Sequence, residues 1–157
     1  MDELTKLGFE HFVVLERQNY LRKIVSSLVA HQTGHYHRQK SASAEAPHCI
    51  TVDVNHVEID RETKSLLAFL ETYREAFQML DDLLAKRNSL KLTYESDIER
   101  DPFEGYGRMC KFLDIPPHPA TIRYAKTNPY PLATIVSNFE EVQQLLAETP
   151  YAWMLKN

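Results

Sequence analysis

Arg17 and Ser26 are the first residues in this chain whose types and spacing could do chemistry. They lie in "FVVLERQNYLRKIVSSLVA" (12–30), where a β-type run turns on "ERQN" and leaves in a basic helical pattern. A guanidinium at the C-terminal end of a strand stands at the sheet rim, where open α/β folds bind ligands. It grips a phosphate in bidentate fashion, and a serine hydroxyl adds one hydrogen bond. The start of the following helix contributes free N–H groups and a positive dipole end. Ser26 falls off the apolar stripe of that helix, on the side shared with Arg22. The ordinary alternative is a charged turn and a solvated helix face, and spacing alone favours it.

Three further groups carry possible chemistry. Tyr94–Glu95 follows "LKLT", and a tyrosine at a strand end lays its ring on an adenine while still presenting a hydroxyl. A half-buried rim tyrosine is the plainer reading. His31, His35, His37 and His48 make a histidine-rich stretch, but no carboxylate or cysteine stands beside them at ligand spacing, so no metal site is expected. One of these histidines touching a substrate is the better expectation. Arg108, Arg123 and Lys126 form a basic trio that reaches an anion only if the fold brings it there.

The elements that must position these residues follow from periodicity and punctuation. "LTKLGFE" (4–10) reads as a helix end with Gly8 at C′. "HFVVLE" (11–16) reads as a buried strand and "NYLRKIVSSLVAH" (19–31) as a helix, with Leu21, Ile24, Val25, Leu28 and Val29 on one stripe. Residues 32–48 read as a flexible loop, "CITVDV" (49–54) as extended, and about 60–87 as one long helix. "LKLTYE" (90–95) is a strand. Asp101, Pro102 and Glu104 open a helix that "PPHPA" stops. Residues 119–132 read as mostly irregular and 138–148 as a helix. Alternating strands and helices indicate an α/β fold with a small, mainly parallel sheet flanked by helices, within a single domain over 1–157.

Composition sets bounds. The 157 residues suit one domain with a real core. A formal net charge of −4 argues against general nucleic-acid binding but allows a small local anion site. Cys49 and Cys110 cannot make a disulfide framework and read as buried free thiols of a reducing compartment. The charged start and the lack of any long apolar run make a cytoplasmic location the default expectation.

Taken together, three blocks resemble sulfotransferases that use 3′-phosphoadenosine 5′-phosphosulfate (PAPS). "FVVLERQNYLRKIVSSLVAHQTGHYH" resembles the block in which an arginine after a strand and a serine on the next helix bind the donor's 3′-phosphate. "LTYESDIERDPFEGYGRMCKFLDIPP" resembles the later Tyr-Glu-Asp-Leu block, and "NPYPLATIVSNFEEVQQLLAETPYAWML" the C-terminus of bacterial members. The blocks keep the family's order over nearly the whole chain.

The resemblance implies a three-layer, P-loop-NTPase-like sulfotransferase fold, incomplete here. It implies PAPS as co-substrate, no metal, and an unknown hydroxyl acceptor. It makes Arg17 and Ser26 the 3′-phosphate ligands, sets Tyr94 near the adenine, and gives Glu95 a structural role at that rim. Ser27 stays open beside Ser26, because the Arg-to-Ser step is one residue longer than in the best-known branch. Ser96 stands where the family has Asp. The Arg-Lys-Gly loop of cytosolic members is absent, leaving Arg123 or Lys126 as substitutes.

Neither the Gly/Ser/Thr-rich phosphosulfate loop nor the upstream general base of the family is present, so the chain resembles the C-terminal half of a sulfotransferase. Three functions follow: a sulfotransferase-family protein whose catalytic residues are supplied elsewhere, a non-catalytic nucleotide-binding remnant, or a protein-interaction module. A missing first strand would leave an edge open, and open edges recruit partners, so a homo-oligomer or domain-swapped dimer is expected.

Overall fold

The computed structural model describes residues 2–40 and 46–156. Within them the chain forms two compact units, Met1–Gln18 with Tyr73–Thr121 and Asn19–Thr72 with Ile122–Asn157. It is a mixed α/β protein with few, short strands and flanking helices.

The first unit begins with α1 (Asp2–Lys6), closed by Gly8 at φ 87 as its sequence position requires. Strand β1 (Phe12–Glu16) and strand β5 (Ser89–Thr93) pair in parallel, in register from Phe12↔Ser89 to Glu16↔Thr93. Glu16 is buried at the end of β1, and the Lys91 ammonium meets its carboxylate at 3.0 Å and that of Asp81 at 2.6 Å. Partial burial pulls the Lys91 pKa down, but the hydrogen bonds it donates to Asp81 and Glu16 and their negative charges outweigh it, and the net shift is upward.

The expectation of a buried β1 needs correction. Val13 and Leu15 are 40% and 51% exposed. Among the described residues β1 pairs only with β5, so the sheet presents an open edge and a wet face. An apolar groove of about 450 Å³ runs along it, lined by Leu4, Val13, Leu15, Phe77, Leu80 and Leu84 among others.

Helix α4 (Pro102–Phe112) starts as its sequence dictates. The Asp101 carboxylate accepts the Phe103 N–H at 3.0 Å, and Pro102 occupies the first turn. The chain leaves it through Asp114 at φ 52, before the prolines at 116 and 117.

The second unit holds most of the buried apolar side chains. α2 (Tyr20–Thr33) buries Leu21, Ile24, Val25 and Val29 of the predicted stripe, leaves Leu28 half-buried, and ends at Gly34 with φ 72. The segment 49–54 is extended with period two: Ile50, Val52 and Val54 are buried, and Cys49, Thr51 and Asp53 are exposed. Cys49 is therefore not the buried thiol its type suggested, whereas Cys110, on α4 of the first unit, is. Asn138 stands in for a neighbouring strand, its side chain accepting the Val52 N–H at 2.9 Å and donating to the Val52 carbonyl at 2.8 Å. Ile50 also forms a parallel bridge with Val136.

The long helix expected from residue 60 begins later. Residues 57–64 form a tight antiparallel hairpin, β3 (Val57–Ile59) with β4 (Glu62–Lys64), turning on Asp60 and Arg61 at φ 51 and 70. Both turn residues are left-handed, as the twist of a two-residue hairpin demands. Helix α3 (Leu66–Leu84) follows.

The expected flexible loop is structured in its first part, where residues 32 and 33 still belong to α2. Arg38–Gln39 (β2) pairs antiparallel with Tyr124–Ala125 (β6), and residues 41–45 lie outside the described residues. Helices α5 (Leu132–Ile135) and α6 (Phe139–Leu146) and a short 3₁₀ turn at Ala152–Leu155 complete the unit. Among the described residues one of the three strand pairs is parallel, so "mainly parallel" holds for β1–β5 and the Ile50–Val136 bridge and fails for the short antiparallel pairs β2–β6 and β3–β4. No helix among the described residues is long and apolar enough to cross a membrane.

Candidate anion site at the ends of β1 and β5

Because β1 and β5 run parallel in register, the residues that follow them, Arg17 and Tyr94, emerge side by side at the C-terminal rim. The Arg17 guanidinium lies over the Tyr94 ring, 4.7 Å from its centroid. Such a stack holds a cation in place without neutralising it. The Arg17 Nε is shielded from solvent and has no hydrogen-bond partner among the described residues. A buried donor left without a partner is a costly arrangement in a protein interior. This atom fits an anion, since an oxyanion oxygen would satisfy it.

The rim is braced by carboxylates. Glu95 accepts the Gln18 N–H at 3.1 Å and so ties the turn after β5 to the residue after Arg17. Tyr94–Ile98 form a single wide π-type turn, within which Asp97 is buried. The Asp97 carboxylate accepts the Thr93 N–H at 2.7 Å, the Ser96 hydroxyl at 3.2 Å, and a charge-assisted bond from Arg108. The Thr93 N–H, together with Arg108 and Ser96, holds the Asp97 pKa below its ordinary value against the opposing effect of burial. Thr93 and Ser96 hydroxyls are hydrogen-bonded to each other.

Helix α4 packs on this turn through Gly105. A Cβ there would stand 2.8 Å from the Asp97 carbonyl oxygen and 2.8 Å from the Ile98 Cδ1. Glycine is required by space, not by dihedral angle.

The candidate residues are distributed as follows. Arg17 and Tyr94 are brought together. Arg108, one of the basic trio, is committed to Asp97. Ser26 and Ser27 lie half-buried on α2 of the second unit, and Arg123 and Lys126 lie exposed beside β6 of the same unit. His35, His37 and His48 line a pocket of the second unit. No group of three His, Cys, Asp or Glu side chains among the described residues is placed to hold a metal ion.

No family model, curated protein or solved structure matches this chain.

Its chemistry is therefore read from its own residues. Three of them escaped the sequence reading. Asn19, before the apolar run of α2, carried the usual helix-start signal. Its side chain accepts the Arg22 N–H at 2.9 Å and donates to the Met154 carbonyl at 2.9 Å. Gly105, isolated inside a helical pattern, hints at a packing constraint. Asp97 gave no signal, because only the fold shows that it is buried.

Proposed function

We propose that the chain is a sulfotransferase-family protein that binds the 3′-phosphoadenosine part of PAPS. One observation carries this reading: Arg17, stacked on Tyr94 at the C-terminal ends of adjacent parallel strands, keeps a buried Nε–H without a partner among the described residues. Open α/β sheets bind ligands at that rim, and guanidinium is the side chain suited to phosphate.

In this reading Arg17 holds the 3′-phosphate; Ser26 and Ser27 lie in the second unit, and their part in that site is what the resemblance alone implies. One face of the Tyr94 ring is taken by Arg17, so adenine stacking falls to the other face. Glu95 and Asp97 keep the turn in place and do not touch the ligand. Ser96 remains a departure from the family's Asp. Arg123 and Lys126 remain the proposed substitutes for the missing phosphate-closing loop.

Sulfuryl transfer to an acceptor hydroxyl also needs donors at the phosphosulfate and a base at the acceptor. All four glycines have other duties: Gly8 and Gly34 end helices, and Gly105 and Gly107 lie within α4. The chain's own role is therefore nucleotide binding, with transfer occurring only when another chain or a longer product supplies the remainder.

A second reading, a protein-interaction module, draws on the exposed Val13 and Leu15 of β1. A two-stranded parallel sheet buries too little surface to be stable alone, and added strands supply what is missing. The proposed assembly is a homodimer or domain-swapped dimer.

Calorimetric titration with 3′-phosphoadenosine 5′-phosphate tests the first reading. Saturable binding that Arg17→Ala removes supports it; a folded sample that takes up no nucleotide leaves the interaction module.

A further inference from the structure

A second group of unsatisfied donors lies in the second unit, on residues that the sulfotransferase reading does not use. Between the last turn of α2, strand β2, residues 46–48 and the segment 127–130 is a pocket of about 240 Å³. Its lining includes Arg38 and Asn128, and the Arg38 Nε and the Asn128 Nδ2 are both shielded from solvent without a hydrogen-bond partner among the described residues. Three histidines, His35, His37 and His48, share the lining, and among the described residues no aspartate or glutamate does.

The pocket is held by backbone structure. Arg38 is fixed by pairing of β2 with β6, continued by the Lys40 N–H donating to the Arg123 carbonyl at 2.9 Å. The His37 ring rests against that of Tyr124, 5.4 Å between centroids. The Arg22 side chain donates to the Tyr130 carbonyl at 2.8 Å, tying the far wall to α2. The carbonyl end of α2 would repel an anion, but two of its last carbonyls are already covered: Val29 by the Thr33 hydroxyl and Ala30 by the Gly34 N–H.

A buried N–H without a partner calls for an acceptor, and two of them on residues of one pocket, with no carboxylate in its lining among the described residues, call for a ligand that accepts. We infer that this pocket binds a small molecule through an oxyanion, a phosphate ester or a carboxylate, gripped by Arg38 Nε and Asn128 Nδ2. The volume suits a ligand of monosaccharide size rather than a nucleotide, below the usual range of drug-sized sites. This assignment stands whether or not nucleotide binds at Arg17.

Glucose 6-phosphate and glucuronate represent the two oxyanion sources, and glucose is the neutral control. Each is titrated into the full chain while the Arg38 Nε–H and Asn128 side-chain amide resonances are followed by NMR. At least one anion should shift both signals with a Kd of about 1 mM, a strength reasonable for so few atoms. Which anion binds tighter distinguishes phosphate from carboxylate.

Asn128→Asp, which replaces the donor by a like charge, should weaken binding about 10-fold or more. Arg38→Lys keeps the charge, loses the Nε–H, and should weaken it as well. Arg17→Lys, at the other site, should leave the titration of the Arg38 and Asn128 signals as it is in the native chain. Three results would overturn the assignment: no shift of these signals with either anion at tens of millimolar, equal binding of glucose, or loss of binding in Arg17→Lys, which would place the ligand at the other site.

Discussion

The Arg17 guanidinium and the Tyr94 ring are stacked 4.7 Å apart at the ends of two parallel, in-register strands. Seventy-seven positions separate them in the chain, and the register Glu16↔Thr93 makes them neighbours. Replacing Tyr94 by leucine should keep the fold and loosen Arg17. The loss expected in nucleotide affinity is about 0.5–2 kcal/mol, the range of a cation–π contact. Arg17→Ala should cost more, about 1.5–3 kcal/mol, the range for a charged hydrogen-bonding group. Titration of both variants beside unchanged thermal melts checks the order.

Gly105 sets how closely α4 approaches the turn that carries Tyr94. Helix propensity alone would make Gly105→Ala stabilising. The 2.8 Å approach to a backbone oxygen reverses that sign. Overpacking of this kind costs about 1–3 kcal/mol, read as a lower urea midpoint. Gly107→Ala is the internal control: nothing lies within 4 Å of its Cβ position, so it should be neutral or stabilising.

Asp97 gives the turn a defined response to acid. Its folded pKa is lowered from the ordinary 3.8, mainly by the Thr93 N–H and also by Arg108 and Ser96. A carboxylate depressed in the folded state binds its proton less readily there than in the unfolded chain. Its contribution to stability is therefore full above 3.8 and lost as pH falls through the folded value. The stability difference between the native chain and Asp97→Asn, measured by urea unfolding, should be constant near neutrality and shrink below pH 3.8. A difference independent of pH down to 2 would contradict this.

The open edge of β1 carries a prediction about assembly. With Val13 and Leu15 exposed, the chain should run as a dimer in sizing with light scattering. Val13→Lys, a charge on the exposed edge, should shift it toward monomer without lowering helix content. A wild-type monomer at high concentration would remove the dimer from the account.

Local rules carried much of the fold. Gly8, the Asp101–Pro102 start of α4 and the stripe of α2 are each decided within one or two turns of chain, so they were legible. The hairpin at 57–64 was not, because its turn uses Asp60 and Arg61 where Asn-Gly or Asp-Gly is the usual signal. The exposure of Val13 and Leu15 was illegible for another reason: a run of β-type apolar residues looks the same whether or not a further strand covers it. At the site, residue types pointed to Arg17 and Tyr94 separately, while their stacking depends on strand register. The braces at Asp97 and Gly105 depend on packing between elements, which no spacing displays.

The central claim is that Arg17 belongs to a 3′-phosphate site. Calorimetric titration of the folded chain with 3′-phosphoadenosine 5′-phosphate, against adenosine 5′-phosphate lacking the 3′-group, tests it most directly. The account predicts saturable binding of the first, weaker binding of the second, and loss of that preference in Arg17→Ala. Equal affinity for the two nucleotides, or no heat with either at millimolar concentration, would contradict it.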